Sequence, residues 1–155
     1  MVANAATNVD SKFPADGMRH VVILWGGTND VLTGISTTTT YNNIKTYGNA
    51  RKAAGELVIV FTLQPMGSSA SYETSRQALN TLLRADFPTT TAYTNILTGA
   101  SYADYLVDLG NDATLGVAGA QNDLTYYQSD KVHMTNAGYA IVAALVKNAF
   151  LLLLP

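Results

Sequence analysis

Cysteine is absent from this 155-residue chain, which excludes disulfide bridges, thiolate catalysis and cysteine-ligated zinc while leaving the redox compartment open. Charge is scarce as well. Only 13% of residues are charged, and the net charge is -2, so there is no basic stripe to neutralise phosphates and nucleic acid is not an expected partner. The two histidines, His20 and His133, stand far apart without a carboxylate cluster at ligand spacing, so no metal site is expected. The first ten residues contain no basic cluster followed by an apolar run. They therefore do not form a signal peptide, and either the protein is cytoplasmic or a leader is missing, with secretion and localisation left open. The longest apolar run, from Ala149 to Leu154, falls far short of the ~20 residues that cross a bilayer, so no membrane span is expected. That run reads either as the tail of a core helix or as a patch that packs against a second subunit.

Apolar residues are plentiful, at 48%, and the length suits one globular domain over 1–155. Val21-Val22-Ile23-Leu24-Trp25 and Leu57-Val58-Ile59-Val60-Phe61-Thr62 are short and rich in β-branched residues, without polar alternation. Such runs predict strands buried on both faces. A weaker third strand is Tyr105 to Leu109, closed by Gly110. Helical segments are expected at Thr38 to Ala54, with Gly55 as C-cap, at Ser71 to Ala85 before Pro88, and at Thr135 to about Leu152. The last carries Ile141, Val142, Leu145, Val146 and Ala149 on one stripe. Alternating strands and helices predict an α/β fold, a three-layer α/β/α sandwich on a parallel sheet with right-handed crossovers. Its ligand site lies beyond the carboxyl ends of the strands. Residues 111–128 form a long connection, with a short helix possible around Asp112 to Leu115.

Gly26-Gly27-Thr28-Asn29-Asp30 follows the first buried strand directly. The glycines permit positive φ and close backbone approach, and the Asn29 amide can donate into a pocket as an oxyanion-hole donor does. The same residues read equally as a turn whose Asn and Asp cap the next segment. Asp130-Lys131-Val132-His133 precedes the last helix. At this spacing the Asp130 carboxylate can accept from Nδ1–H of His133, which fixes the tautomer and leaves Nε2 free as a base. The alternative is a surface histidine beside a surface aspartate.

Taken together, the strand followed by Gly-Gly-Thr-Asn-Asp near one end, and Asp130-x-x-His133 followed by Thr135, Gly138 and an amphipathic helix near the other, resemble the SGNH hydrolase superfamily of GDSL-like esterases and lipases. The resemblance runs over essentially the whole chain and implies a flavodoxin-like sheet. It further implies an ester hydrolase acting without cofactor on small substrates, short-chain esters or acetylated sugars. It assigns Asn29 to the oxyanion hole with Gly27 and Thr28 in its loop, Asp130 as the triad acid and His133 as the base.

The family's opening Gly-Asp-Ser block, which holds the nucleophile, has no counterpart among the 25 residues before Gly26. Met1 to Phe13 resembles the helix after the second family block. The resemblance thus implies an N-terminally shortened member lacking its first one or two strands, and either an impaired esterase or an inactive scaffold or binding module. Ser68 and Ser69, in the loop after the second strand, are the stand-in nucleophiles worth testing, although no Gly-x-Ser-x-Gly elbow surrounds them and turn or capping roles fit them too. Ser101 and Ser129 match non-catalytic family positions. Loss of the neighbouring strand would expose Val21 to Trp25 as an apolar sheet edge, so self-association is expected through that edge or through the C-terminus. Trp25 and the pair Tyr126 and Tyr127 read either as pocket walls or as buried anchors. His20 reads as a solvated strand end.

Overall fold

A run of apolar residues with no polar alternation is stable only when both faces are covered, and the two strongest runs form adjacent parallel strands. The computed structural model describes residues 9–13, 16–67 and 69–153, so Ser68, Leu154 and most of the Met1 to Phe13 stretch lie outside the described residues. The strands are β1 (Val21–Leu24), β2 (Leu57–Phe61), β3 (Thr89–Thr90), β4 (Ile96–Thr98) and β5 (Tyr105–Val107). The helices are α1 (Thr28–Leu32), α2 (Thr37–Ala53), α3 (Ala70–Ala85) and α4 (Asn136–Leu153).

β2 lies between β1 and β5 and pairs in parallel with both, Val22 opposite Val58 and Val60 opposite Leu106. All five of its side chains are buried. At about 1.5–3 kcal/mol for each large side chain taken out of water, this strand is the strongest anchor of the sheet. Val22, Leu24, Val58, Val60 and Leu106 face α2 and α3, where Ile44, Tyr47, Leu79 and Leu83 complete one core. Ile59, Phe61 and Val107 face α4, whose Val142, Leu145, Ala149 and Leu153 complete the other. This is the expected three-layer α/β/α arrangement.

The sheet is mixed, in the order β1-β2-β5-β4-β3, with β4 antiparallel to β5 and β3 antiparallel to β4. The parallel strands anticipated from sequence are thus extended by an antiparallel hairpin. The chain reverses between β3 and β4 through Asn95 at φ 64, with Ile96 N–H donating to Tyr93 O at 3.2 Å. So short a connection permits antiparallel pairing and no crossover. β5 is also shorter than expected, ending at Val107. Asp108 turns inward instead, accepting from the Thr62 hydroxyl at 2.9 Å and the Arg84 Nε at 2.8 Å, and Leu109 opens a 3-10 turn. Around Asp112 the chain makes a turn rather than a helix, with Asp112 Oδ1 accepting from Thr114 N and Leu115 N, both at 2.9 Å.

Two helices begin on serine caps. Ser36 Oγ accepts from Thr39 N at 3.1 Å ahead of α2, and Ser69 Oγ from Tyr72 N at 3.3 Å ahead of α3. α4 spans 18 residues with a mean hydropathy of 1.5, long and apolar enough by length and composition alone to cross a membrane. It packs one face on the sheet, with 28% of its span buried: Ala149 and Leu153 of the leucine-rich run lie against the sheet while Leu151 points outward.

β1 is the sheet's edge. Leu57 N donates to His20 O, and the alternation of a parallel ladder then turns the N–H and C=O of Val21 and Ile23 away from β2. Ile23 is 45% exposed.

Candidate active site

The polypeptide leaves β1 at Trp25 and must turn at once into α1. Gly27 makes that turn at φ +107, a left-handed conformation, and a Cβ there would lie 3.0 Å from Thr40 Cγ2 and 3.2 Å from Leu79 Cδ2. Both the backbone and the space therefore favour glycine. Gly27 O accepts from Val31 N at 3.0 Å, which starts α1 and places Thr28 and Asn29 in its first turn. Asn29 is exposed. Its backbone carbonyl accepts from Thr33, whereas its side-chain amide has no hydrogen-bond partner among the described residues. Trp25 to Asp30 line an open depression of about 330 Å³.

The second element is a tight loop between Tyr127 and Met134, which form an isolated antiparallel bridge, closed further by Gln128 N donating to His133 O at 2.8 Å. At its tip the Asp130 carboxylate is used twice. Oδ1 accepts from the backbone N–H of Val132 at 2.9 Å and of His133 at 3.0 Å, while Oδ2 lies 2.7 Å from His133 Nδ1. The His133 ring hydrogen bond, followed by those two amides, holds the Asp130 carboxyl down at about 2. The carboxylate is ionised throughout the physiological range. Both side chains are open to solvent, His133 at 66% and Asp130 at 46% exposure. With Nδ1 beside the carboxylate, Nε2 of His133 makes no hydrogen bond among the described residues.

The exit loop of β2 lies between these two elements. Tyr72, buried on α3, donates its hydroxyl to Gln64 O at 3.3 Å in that loop. Burial holds its phenol above the ordinary range. Further along, Gly67 N donates to Lys131 O at 2.7 Å. The Asn29 turn follows the carboxyl end of β1, and the His133 loop meets the exit of β2. No direct hydrogen bond joins Asn29 to His133 among the described residues.

The model of the GDSL-like Lipase/Acylhydrolase family matches residues 3–141. The chain belongs to this family. No curated protein and no solved structure matches it. At superfamily level the family is one of ester hydrolases, which fits a small substrate.

In this GDSL-like chain, other residues singled out from sequence fall as follows. Ser69 is the cap of α3, its hydroxyl engaged with Tyr72 N and, at 2.6 Å, with the Ser71 hydroxyl. Ser68 lies outside the described residues. Trp25 stacks on Phe61 at 5.1 Å between ring centroids and also borders the depression, so it is both core and wall. Tyr127 is an anchor, fully buried with its hydroxyl donating to Leu115 O at 2.7 Å. His20 pairs with Asp16 at 3.0 Å beneath the amino end of β1. Among the described residues no group of three His, Asp or Glu is placed to hold a metal.

Sequence reasoning missed the exit loop's contacts. Lys131 adopts φ 59, and a Cβ on Gly67 would lie 2.6 Å from Lys131 Cβ. Nothing in the spacing of either residue announces that meeting, since it joins segments remote in the chain.

Proposed function

We propose that this GDSL-like protein is a carboxylic-ester hydrolase acting on short-chain esters or acetylated sugars, with His133 as general base, Asp130 as its orienting acid and Asn29 as an oxyanion donor. The observation that carries the reading is the Asp130 to His133 hydrogen bond of 2.7 Å, which occupies Nδ1 and leaves Nε2 for a substrate proton, and the Asn29 amide, which makes no hydrogen bond among the described residues, supports the oxyanion role. In this scheme Nε2 takes the proton of a nucleophilic hydroxyl as its oxygen bonds to the ester carbonyl carbon. The carbonyl oxygen becomes an oxyanion and accepts from the Asn29 amide. Collapse breaks the carbon–oxygen bond to the alcohol, which leaves with the proton from His133. Water then repeats the sequence to release the acid. Gly27 and Thr28 shape the oxyanion loop, and neither metal nor cofactor enters.

One observation favours a second reading, an inactive scaffold or binding module: among the described residues no serine hydroxyl is hydrogen-bonded to His133. Ser69 is held in its capping role. The two readings part on treatment with a fluorophosphonate, followed by intact mass and by turnover of a short nitrophenyl ester. The hydrolase reading expects one adduct, lost in His133→Ala, and peptide mapping identifies the nucleophile, Ser68 and Ser69 included. Absence of both adduct and turnover sinks it in favour of the scaffold.

The proposal extends to self-association through the β1 edge or the apolar C-terminus. Its support is the position of β1 at the end of the sheet and the exposure of Ile23.

A further inference from the structure

The acid–base pair is built within four residues, so its own geometry is local, but its location relative to Asn29 is not. The loop tip carrying it is exposed, and what meets it from the sheet is the exit of β2. Gly67 donates its N–H to Lys131 O at 2.7 Å, and the positive φ of 59 at Lys131 is part of the turn that presents this carbonyl. L side chains adopt that conformation at a cost. The approach is so close that a Cβ on Gly67 would lie 2.6 Å from Lys131 Cβ, 3.3 Å from its Cδ and 3.4 Å from Asp130 O. Any larger residue at 67 must push the loop tip away. At its other end the same exit loop is gripped by Tyr72, whose hydroxyl donates to Gln64 O at 3.3 Å.

From this we infer that Gly67 is a positioning residue: by carrying no side chain it lets the Asp130–His133 pair seat against the β2 exit and sets its distance from Asn29. The inference rests on the reading of Asn29 and His133 as partners in one site. Displacements of about 1 Å at such a pair cost up to about a hundredfold in rate, so the absence of a methyl group at position 67 is a specific requirement of the site.

The chain's lack of cysteine makes a direct test clean. A nitroxide attached at Leu32→Cys, on the exposed end of α1, broadens the His133 ring signals with the inverse sixth power of their separation. Gly67→Ala is expected to reduce that broadening by more than the scatter between repeat measurements, with the circular dichroism unchanged. Adding Lys131→Gly removes the opposing Cβ and is expected to restore it, and the double variant also serves if Gly67→Ala alone does not fold. If hydrolysis is found in the parent, kcat falls about tenfold or more in Gly67→Ala with KM little changed, and returns in the double variant. Unchanged broadening in Gly67→Ala, or no restoration in a folded double variant, overturns the inference. Should the broadening follow the expected pattern in a chain that neither hydrolyses esters nor takes a fluorophosphonate, the positioning role stands and the hydrolase reading falls.

Discussion

Several side chains fix the first residues beyond β2 to the body of the protein, and removing one of them, Asn80, tests how the rim is held. Asn80 of α3 is buried and grips Leu63 from both sides, Oδ1 accepting from Leu63 N at 2.8 Å and Nδ2 donating to Leu63 O at 2.7 Å. Leu63 O also accepts from Arg76 Nη1 at 2.8 Å, so Asn80→Ala leaves that carbonyl with a donor. The Leu63 N–H has no other partner among the described residues and sits in a residue with 0% exposure. A buried orphan donor costs about 1–3 kcal/mol, and the expected loss is about 2 kcal/mol. For a chain of this size that lowers Tm by roughly 4–8 °C. Asn80→Asp is the sharper probe. Its carboxylate still accepts from Leu63 N–H, but the second oxygen then faces Leu63 O, so the neutral acid, which can donate there, is favoured and its folded pKa is raised. A group with a raised folded pKa stabilises fully below its unfolded value of about 3.9 and loses that contribution as pH rises through the folded value. The variant should therefore approach the parent near pH 4 and fall away toward pH 8. Urea unfolding followed by far-UV circular dichroism at several pH values reads both effects. A cost below about 0.5 kcal/mol for Asn80→Ala, or a pH-independent gap for Asn80→Asp, would refute the reasoning.

The Asp130 carboxyl carbon, followed by NMR, should titrate with a midpoint at about 2, and His133→Ala should move it up toward the ordinary 3.8. Since the folded value is the lower one, whatever the pair adds to stability is present above 3.8 and disappears as pH falls through about 2; an unmoved midpoint in His133→Ala contradicts the bond. Light scattering after size exclusion should give a mass above one chain at micromolar concentration, reduced by Ile23→Lys on the β1 edge. A stable monomer in the parent rejects self-association.

How much of this was readable in advance depended on how local the determining contacts are. β2 announced itself because every one of its residues is apolar, and α2, α3 and α4 were bounded within a residue or so by serine and threonine caps and by Gly55. β3 and β4 escaped because two or three residues carry no period, and the hairpin they form is decided by pairing with β5. Asp108 was taken into a strand because its neighbours are apolar, although a charged residue at the end of such a run signals a buried partner, here Thr62 and Arg84. At the site, the Asp130 to His133 contact follows from a spacing of three. The meeting of Gly67 with Lys131 does not, because close approach between distant loops leaves no mark on composition, and a glycine in a loop looks the same whether it bends the chain or makes room.

The double use of the Asp130 carboxylate also bears on how such a protein changes over time. One oxygen organises the backbone of its own turn and the other bonds the imidazole, so the whole Asp130–His133 unit is carried by a segment of four residues. Substitutions elsewhere can shift this cassette as a whole without dismantling it. Related chains would then keep the turn and its imidazole contact intact long after its alignment with the rest of the rim has changed.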